Sequence, residues 1–269
     1  DVRHALEQFY RAPPPWFEQH APTSVLGVAA LLDDLRGTST LVDTARKLRV
    51  SRFALARWLK GDAEPRLPDF LQLIEVASLR LLDFVALLAE PERVPCLAAR
   101  WQELQRARRA AYQRPWSHAI LHALGLARYR ALPVHEPGWL ARTLGLSLEE
   151  EVASLELLAS TGQIELDAGK WRVHHTLTID TRKDPEAARH LKAWWAQVGR
   201  ERFLAGASGV FSYNLFGVSN ADLKRIEALQ RAYFRELRNI VALSEPVENI
   251  AVVNLQLFSL LGEIRAKEG

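Results

Sequence analysis

Two histidines have the spacing in this sequence that best suits a metal ion. His118 and His122 are four residues apart in a helical pattern, so both rings would lie on one helix face. No third ligand is evident near them. His174 and His175 are adjacent in a predicted strand, so their side chains would face opposite ways. We therefore predict no metal site.

Motifs for catalysis do not stand out either. We find no ordered Ser, His and Asp set, no glycine-rich phosphate loop and no close pair of carboxylates. The prediction is therefore no catalytic residue, no cofactor and no enzymatic activity. An enzyme with an unfamiliar site is the alternative, which only the chain length supports. The single cysteine, Cys96, excludes an internal disulfide and fits a reducing cytoplasm.

A cluster of basic side chains indicates a different chemistry, the binding of phosphate groups. Residues 36–66 contain eight basic and three acidic side chains, whereas the whole chain has a formal net charge of only +3. A local excess of this kind favours nucleic acid as the partner.

Two short helices must position these cations. Apolar residues at three-to-four spacing predict a helix over residues 41–48. Ser51 is a good N-cap for a second helix over residues 52–60, and Gly61 ends it. Two such helices joined by a short turn are a helix-turn-helix, whose second helix fits the major groove of DNA.

The residues around this helix pair resemble one family in their order and spacing. Residues 24–88 are similar to the lambda-repressor-like (Cro-type, XRE) DNA-binding domains. The positions that carry the resemblance are Leu48, Val50, Ser51, Leu55, Arg57, Trp58, Gly61, Glu64, Pro65, Leu71, Ile74, Ala77 and Leu79. The resemblance implies a five-helix DNA-binding domain over residues 23–90.

The resemblance also implies roles for individual side chains. Those that would face base edges are Ser51, Arg52, Phe53 and Arg57, and those that would hold phosphates are Thr40, Arg49 and Lys60. Three positions depart from the family. Arg49 replaces the usual turn glycine, so it would have to adopt a left-handed conformation. Thr44 replaces a core aliphatic residue, and Phe53 a residue that is more often polar.

The flanks of this domain are predicted to be connectors. Residues 1–22 are expected to form an N-terminal arm, because three consecutive prolines favour an extended segment. Residues 91–115 are expected to form a linker helix. Its arginines either touch DNA phosphates or form a solvated face, and they are Arg100, Arg106, Arg108 and Arg109.

Residues 116–182 have the element order of a winged-helix domain. Helical patterns over residues 116–130, 137–144 and 147–160 precede a hairpin over residues 163–175. This element order alone would predict a second DNA-binding domain. However, the would-be recognition helix begins with Glu149, Glu150 and Glu151, whose carboxylates would repel phosphates. We therefore predict a structural or partner-binding block.

Residues 183–269 are predicted to form a regulatory or dimerisation region. Long helical patterns cover residues 184–205 and 219–243, and alternating patterns predict strands over residues 209–218 and 248–257. This order predicts a small α/β unit. The apolar stripe of the 219–243 helix either covers those strands or meets a second copy of the chain.

The second half of the chain also resembles a family. From Trp116 to Leu261, the element order and a final Asn254 to Phe258 are similar to a bacterial domain-of-unknown-function family, DUF4423. That family is often fused behind a small helical DNA-binding domain. Ser259 stands where its members often have proline. The family name implies no activity and supports a regulator only by association.

Together these patterns predict a mainly α protein: a five-helix Cro-type domain, a winged-helix-like block and a small C-terminal α/β unit. The predicted function is sequence-specific regulation of transcription through the helix over residues 51–60. The alternative is an antitoxin-like module for protein interaction or effector sensing, with the helix-turn-helix as a tether. The predicted partners are double-stranded DNA, a second copy of the chain and a small-molecule or protein effector. No membrane contact is expected, and the predicted location is the cytoplasm, at the nucleoid.

Overall fold

A computed structural model describes residues 2–10, 13–174 and 184–261 of the chain. Within these residues the protein is mainly helical, with a single two-stranded sheet, so the predicted mainly α class is confirmed. The helices are α1 (Val2–Tyr10), α2 (Val25–Arg36), α3 (Leu41–Leu48), α4 (Arg52–Lys60), α5 (Leu67–Ser78), α6 (Leu81–Val85), α7 (Pro95–Gln113), α8 (Pro115–Ala123), α9 (Ala127–Arg130), α10 (Trp139–Leu144), α11 (Leu148–Ser160), α12 (Pro185–Leu204) and α13 (Asn220–Leu243). The strands are β1 (Ile164–Asp167) and β2 (Lys170–Val173).

Helices α1–α6 surround the first hydrophobic core, and we call them the first helical unit. The segment predicted as an N-terminal arm supplies part of this core. Leu6 and Phe9 of α1, and Trp16 and Phe17 of the short 3-10 turn that follows, are buried in it. This segment packs into the core because α1 has an apolar face that must be buried. The burial of that face outweighs the preference of the prolines for an extended chain.

A buried ion pair joins the first helical unit to α7. The Nη2 atom of Arg108 lies 2.7 Å from both carboxylate oxygens of Asp83 on α6, and both side chains are buried. One of the four arginines predicted for the exposed face of α7 is therefore internal. Arg100, Arg106 and Arg109 remain exposed.

Helices α8–α11 and the hairpin surround the second core, and we call them the second helical unit. The hairpin pairs Ile164 with Val173 in antiparallel register. The helix predicted over residues 116–130 is divided into α8 and α9 around Gly125. His175 and the predicted domain boundary at residues 182–183 lie outside the described residues.

The predicted C-terminal α/β unit is wrong. Residues 209–218 and 248–257 form no strand in the structure, and most of their side chains are exposed. An alternating pattern favours an extended chain, but a strand also needs a hydrogen-bonded neighbour, which neither segment has within the described residues. The structure describes no helix that is long and apolar enough to cross a membrane.

Candidate nucleic-acid interface

Local capping determines where α3 begins and ends. The hydroxyl oxygen of Thr40 accepts a hydrogen bond of 3.1 Å from the Asp43 N–H and so starts the helix. Arg49 ends it in the left-handed conformation, at φ 55° and ψ 34°. The predicted left-handed Arg49 is therefore confirmed. The Val50 N–H then donates to the Ala45 carbonyl at 3.1 Å, which closes the last turn.

The same kind of capping holds α4 in place. The Ser51 hydroxyl oxygen accepts from the Ala54 N–H at 3.1 Å, and Gly61 ends the helix at φ 74°. Leu55 and Trp58 are buried in the first core. Because these two side chains anchor one face of α4, its opposite face must point outward.

That outward face carries three predicted base-facing side chains, Arg52, Phe53 and Arg57. Phe53 is 70% exposed, although it is a large apolar side chain. The Arg52 guanidinium lies 5.0 Å from the centre of the Phe53 ring. Arginine can pair with two acceptors of guanine, and an apolar side chain can contact the methyl group of thymine. The chemistry of this face suits base edges.

Most of the basic side chains on α3 and α4 lack an acidic partner. Among the residues that the structure describes, no carboxylate pairs with Arg49, Arg52 or Lys60, and all three are exposed. Arg57 donates only a long hydrogen bond, 3.4 Å, to the Asp62 carbonyl. These charges are therefore left for an external anion.

Thr40 is already engaged within the chain. Its hydroxyl donates to an Asp43 carboxylate oxygen at 2.6 Å while accepting from the Asp43 N–H. Asp43 also forms an ion pair of 3.1 Å with Arg46. A phosphate at Thr40 would meet this carboxylate, so Thr40 is a weaker phosphate contact than its position suggested.

A polar contact from the far end of the chain lies beside this surface. The Thr38 N–H donates to a Glu236 carboxylate oxygen at 3.1 Å, and the Thr38 hydroxyl bonds the other oxygen. The Asn239 amide donates to the Arg36 carbonyl at 3.0 Å. Sequence patterns missed this contact, because the polar side of α13 looked like an ordinary solvated face.

The acidic start of α11 serves the fold of the second helical unit. Glu151 is fully buried, and its carboxylate accepts from the N–H groups of Gly138 at 2.8 Å and Ala141 at 2.5 Å. It thereby caps the N-terminus of α10. Glu150 forms an ion pair of 3.0 Å with Arg114. In the sequence, the only sign of such a partner is Gly138 at the start of α10, because glycine has no side chain that could cap the helix.

A polar network ties the hairpin to this cap. The Trp171 N–H donates to the Tyr129 hydroxyl at 3.3 Å, and that hydroxyl lies 3.2 Å from His135 Nδ1. His135 Nε2 lies 3.5 Å from a Glu151 oxygen. Burial raises the pKa of Tyr129 to about 12, and burial lowers the pKa of His135. The network therefore links the hairpin to the N-terminus of α10.

The two predicted helix-face histidines do lie together. The Nε2 atoms of His118 and His122 are 3.2 Å apart. Burial, together with His122, lowers the pKa of His118 from 6.5 to about 3, and burial also lowers the pKa of His122. The pair is therefore uncharged at neutral pH. The described residues contain no group of three or more metal-ligating side chains.

Comparison with known protein families identifies the second half of the chain. The family model for a domain of unknown function (DUF4423) matches residues 97–260. The chain belongs to this family. The resemblance seen from Trp116 onward is thus confirmed, and the family region also takes in most of α7. No curated protein and no solved structure matches the chain.

Proposed function

We propose that this DUF4423 protein is a sequence-specific DNA-binding regulator of transcription that works in the cytoplasm, at the nucleoid. One observation carries the proposal: α4 is anchored by Leu55 and Trp58 and presents Arg52, Phe53 and Arg57 outward. Helix α3 and its three-residue link to α4 support the proposal, because two short helices joined by such a turn are typical of a helix-turn-helix. In this arrangement Ser51 and the three outward side chains read base edges, and Arg49 and Lys60 hold phosphates.

The direct test is selection of bound duplexes from a random pool by the full chain. We expect one enriched sequence motif, and we expect Arg57→Ala to weaken or broaden it. Arg172→Ala is the matched control, because Arg172 is an exposed arginine on the hairpin of the second helical unit, paired with Asp167. A pool that stays random with the unaltered protein would contradict the proposal.

A second copy of the chain is part of the proposed mechanism, because one recognition helix reads only a few base pairs. Helix α13 supports this. It contacts the first helical unit through polar side chains, whereas Leu229, Tyr233 and Ile240 on its apolar stripe are exposed. Light scattering should show a dimer for the full chain and a monomer for the pair Leu229→Glu and Ile240→Glu. A monomer with tight, specific DNA binding would exclude this arrangement.

The alternative function is an interaction module, in which the helix-turn-helix only tethers the chain. It is favoured by residues 203–218, where Phe203, Leu204, Val210, Tyr213 and Leu215 are all exposed. A patch of this kind favours a protein or effector partner. Pull-down with and without DNA separates the two functions. If the helix-turn-helix is only a tether, the chain should retain its protein partner when Arg52 and Arg57 are both changed to Ala.

A further inference from the structure

The end of α13 is docked on the first helical unit by polar side chains. Asn239 is only 3% exposed and bonds the carbonyl of Arg36, the last residue of α2. It also lines a small cavity with Thr44 and with Ala77 of α5. One turn earlier, Arg235 lies 3.6 Å from Asp34. The docked face is therefore the polar side of α13 and not its apolar stripe.

A glycine allows this close approach. Gly37 has φ 58° and ψ −134°, a conformation that side chains rarely adopt. A Cβ atom at this position would lie 2.4 Å from the Asn239 amide nitrogen and 2.7 Å from a Glu236 oxygen. Any larger residue would displace the ends of these two side chains and so disturb their contacts with the turn. The fit between this turn and α13 is therefore specific.

The docked side chain that matters for DNA is Glu236. Its carboxylate accepts hydrogen bonds from the N–H and the hydroxyl of Thr38, which lies two residues before the cap of α3. A DNA phosphate is also an anion that accepts hydrogen bonds from N–H and hydroxyl donors of this kind. Two anions cannot use the Thr38 donors together.

We propose that Glu236 competes with a DNA phosphate for the donors of Thr38, so that docking of α13 lowers the affinity of the α3–α4 surface for DNA. The inference rests on the proposed function and adds its regulation. The family region then restrains the DNA-binding surface through the end of α13. A change that undocks this end releases the Thr38 donors and removes a negative charge from the path of the DNA backbone.

The test measures how tightly the full chain binds a mixed-sequence duplex, by fluorescence anisotropy over a range of salt concentrations. Glu236→Ala should bind about tenfold more tightly, because the two Thr38 donors become free for charge-assisted hydrogen bonding to a phosphate. The slope of log affinity against log salt should steepen by about 0.9, the value for one added phosphate contact. Glu227→Ala is the control, since Glu227 is on the same helix and pairs with Arg231.

A second variant separates competition from a simple change in charge. Asn239→Asp keeps the shape of the side chain but places a carboxylate against the Arg36 carbonyl, so α13 should undock. It adds negative charge, which alone would weaken DNA binding. Competition predicts the opposite, a severalfold gain in affinity for Asn239→Asp. Hydrogen exchange at the Thr38 amide should quicken in both variants in the absence of DNA.

The outcomes also distinguish this inference from the proposed function. If Arg57→Ala loses DNA binding while Glu236→Ala and Asn239→Asp bind like the unaltered chain or more weakly, the DNA-binding function stands and the competition is wrong. If none of the proteins binds duplex DNA, the proposed function fails and the competition with it. Tighter binding by both α13 variants, with Glu227→Ala unchanged, is the result we expect.

Discussion

The two helical units use their charged side chains in opposite ways. In the first unit, Arg52 and Lys60 are exposed on α4 with no carboxylate partner among the described residues. In the second unit, Glu151 is fully buried as the cap of α10, and Glu150 is paired with Arg114. A charge run in a sequence therefore has two meanings. Its charges stay open to an external partner where the fold offers no counter-group, and they stabilise the fold where N–H groups point at them.

The largest effect that would test this contrast is the loss of the buried carboxylate. Glu151→Ala leaves the N–H groups of Gly138 and Ala141 without an acceptor. We expect the free energy of unfolding to fall by about 2–4 kcal/mol, the cost of two unsatisfied buried donors. Urea unfolding followed by tryptophan fluorescence measures it. Glu149→Ala, at an exposed neighbouring position, should cost less than about 0.5 kcal/mol, and equal losses would contradict the distinction.

Acid should affect the second unit through its buried histidines. Since the folded pKa of His118 is about 3 and its ordinary value is 6.5, the unfolded chain binds more protons between these values. The contribution of the uncharged His118 to the free energy of unfolding is therefore complete above pH 6.5, and it is lost as the pH falls towards 3. The loss is at most about 1.4 kcal/mol per pH unit for each such group.

Unfolding free energies measured between pH 7 and pH 4 check the effect of His118. His118→Leu should flatten the pH dependence, whereas His190→Leu, at an exposed position on α12, should not change it. An equal slope in His118→Leu and the unaltered protein would show that the buried histidine is not the cause.

Removing an outward arginine of the first unit should affect DNA binding but not folding. Arg52→Ala or Arg57→Ala should cost about 1–3 kcal/mol of binding free energy and relax base preference, because the paired contact with guanine is lost. Affinity for the selected duplex and for single-base variants measures this. If both variants keep the original sequence preference, α4 is not the recognition helix.

Lys60 should contribute less, and without sequence preference. Lys60→Ala is expected to weaken binding to all duplexes alike and to lower the salt slope by about 0.9, the contribution of one phosphate contact. Anisotropy titrations on two unrelated duplexes show whether the loss is uniform. A loss confined to one duplex would mean that Lys60 reads bases.

The smallest expected effect is at the exposed acidic positions of α11. Glu149→Gln together with Glu156→Gln should leave DNA affinity unchanged within about twofold, if the second unit stays away from DNA. Glu150 and Glu151 are excluded from this test because their carboxylates make structural contacts, with Arg114 and with the Gly138 N–H respectively. A clear change in affinity would bring the second unit into the DNA interface.

Helix ends were predictable because their signals are local. The bounds of α3 and α4, the Ser51 cap and the left-handed Arg49 agree with the sequence prediction, since each depends on residues within one turn. Ser147 caps α11 by the same local means, with its hydroxyl oxygen accepting from the Glu150 N–H at 3.1 Å. The side of α4 that faces outward followed from the same short-range periodicity.

Tertiary partners were not predictable from pattern alone. The alternating residue pattern over residues 209–218 does not show whether a neighbouring strand is present, and no strand forms there. Glu151 and Arg108 looked like solvated charges, because their partners Gly138 and Asp83 are 13 and 25 residues away. The apolar stripe of α13 indicated which face would be buried, whereas Asn239, which is on the polar side of that helix, is buried.

The ion pair between Arg108 and Asp83 limits how freely the family region can be joined to a different N-terminal unit. Arg108 belongs to the family region, which begins at residue 97, while Asp83 belongs to the first helical unit, which precedes it. A recombination event that joined a different N-terminal unit at residue 90 would bury the Arg108 guanidinium without its carboxylate. Removing one partner of a buried pair costs about 3–5 kcal/mol. Gene fusions of this family with new N-terminal units should therefore carry α6 along with α7, or replace both charges together.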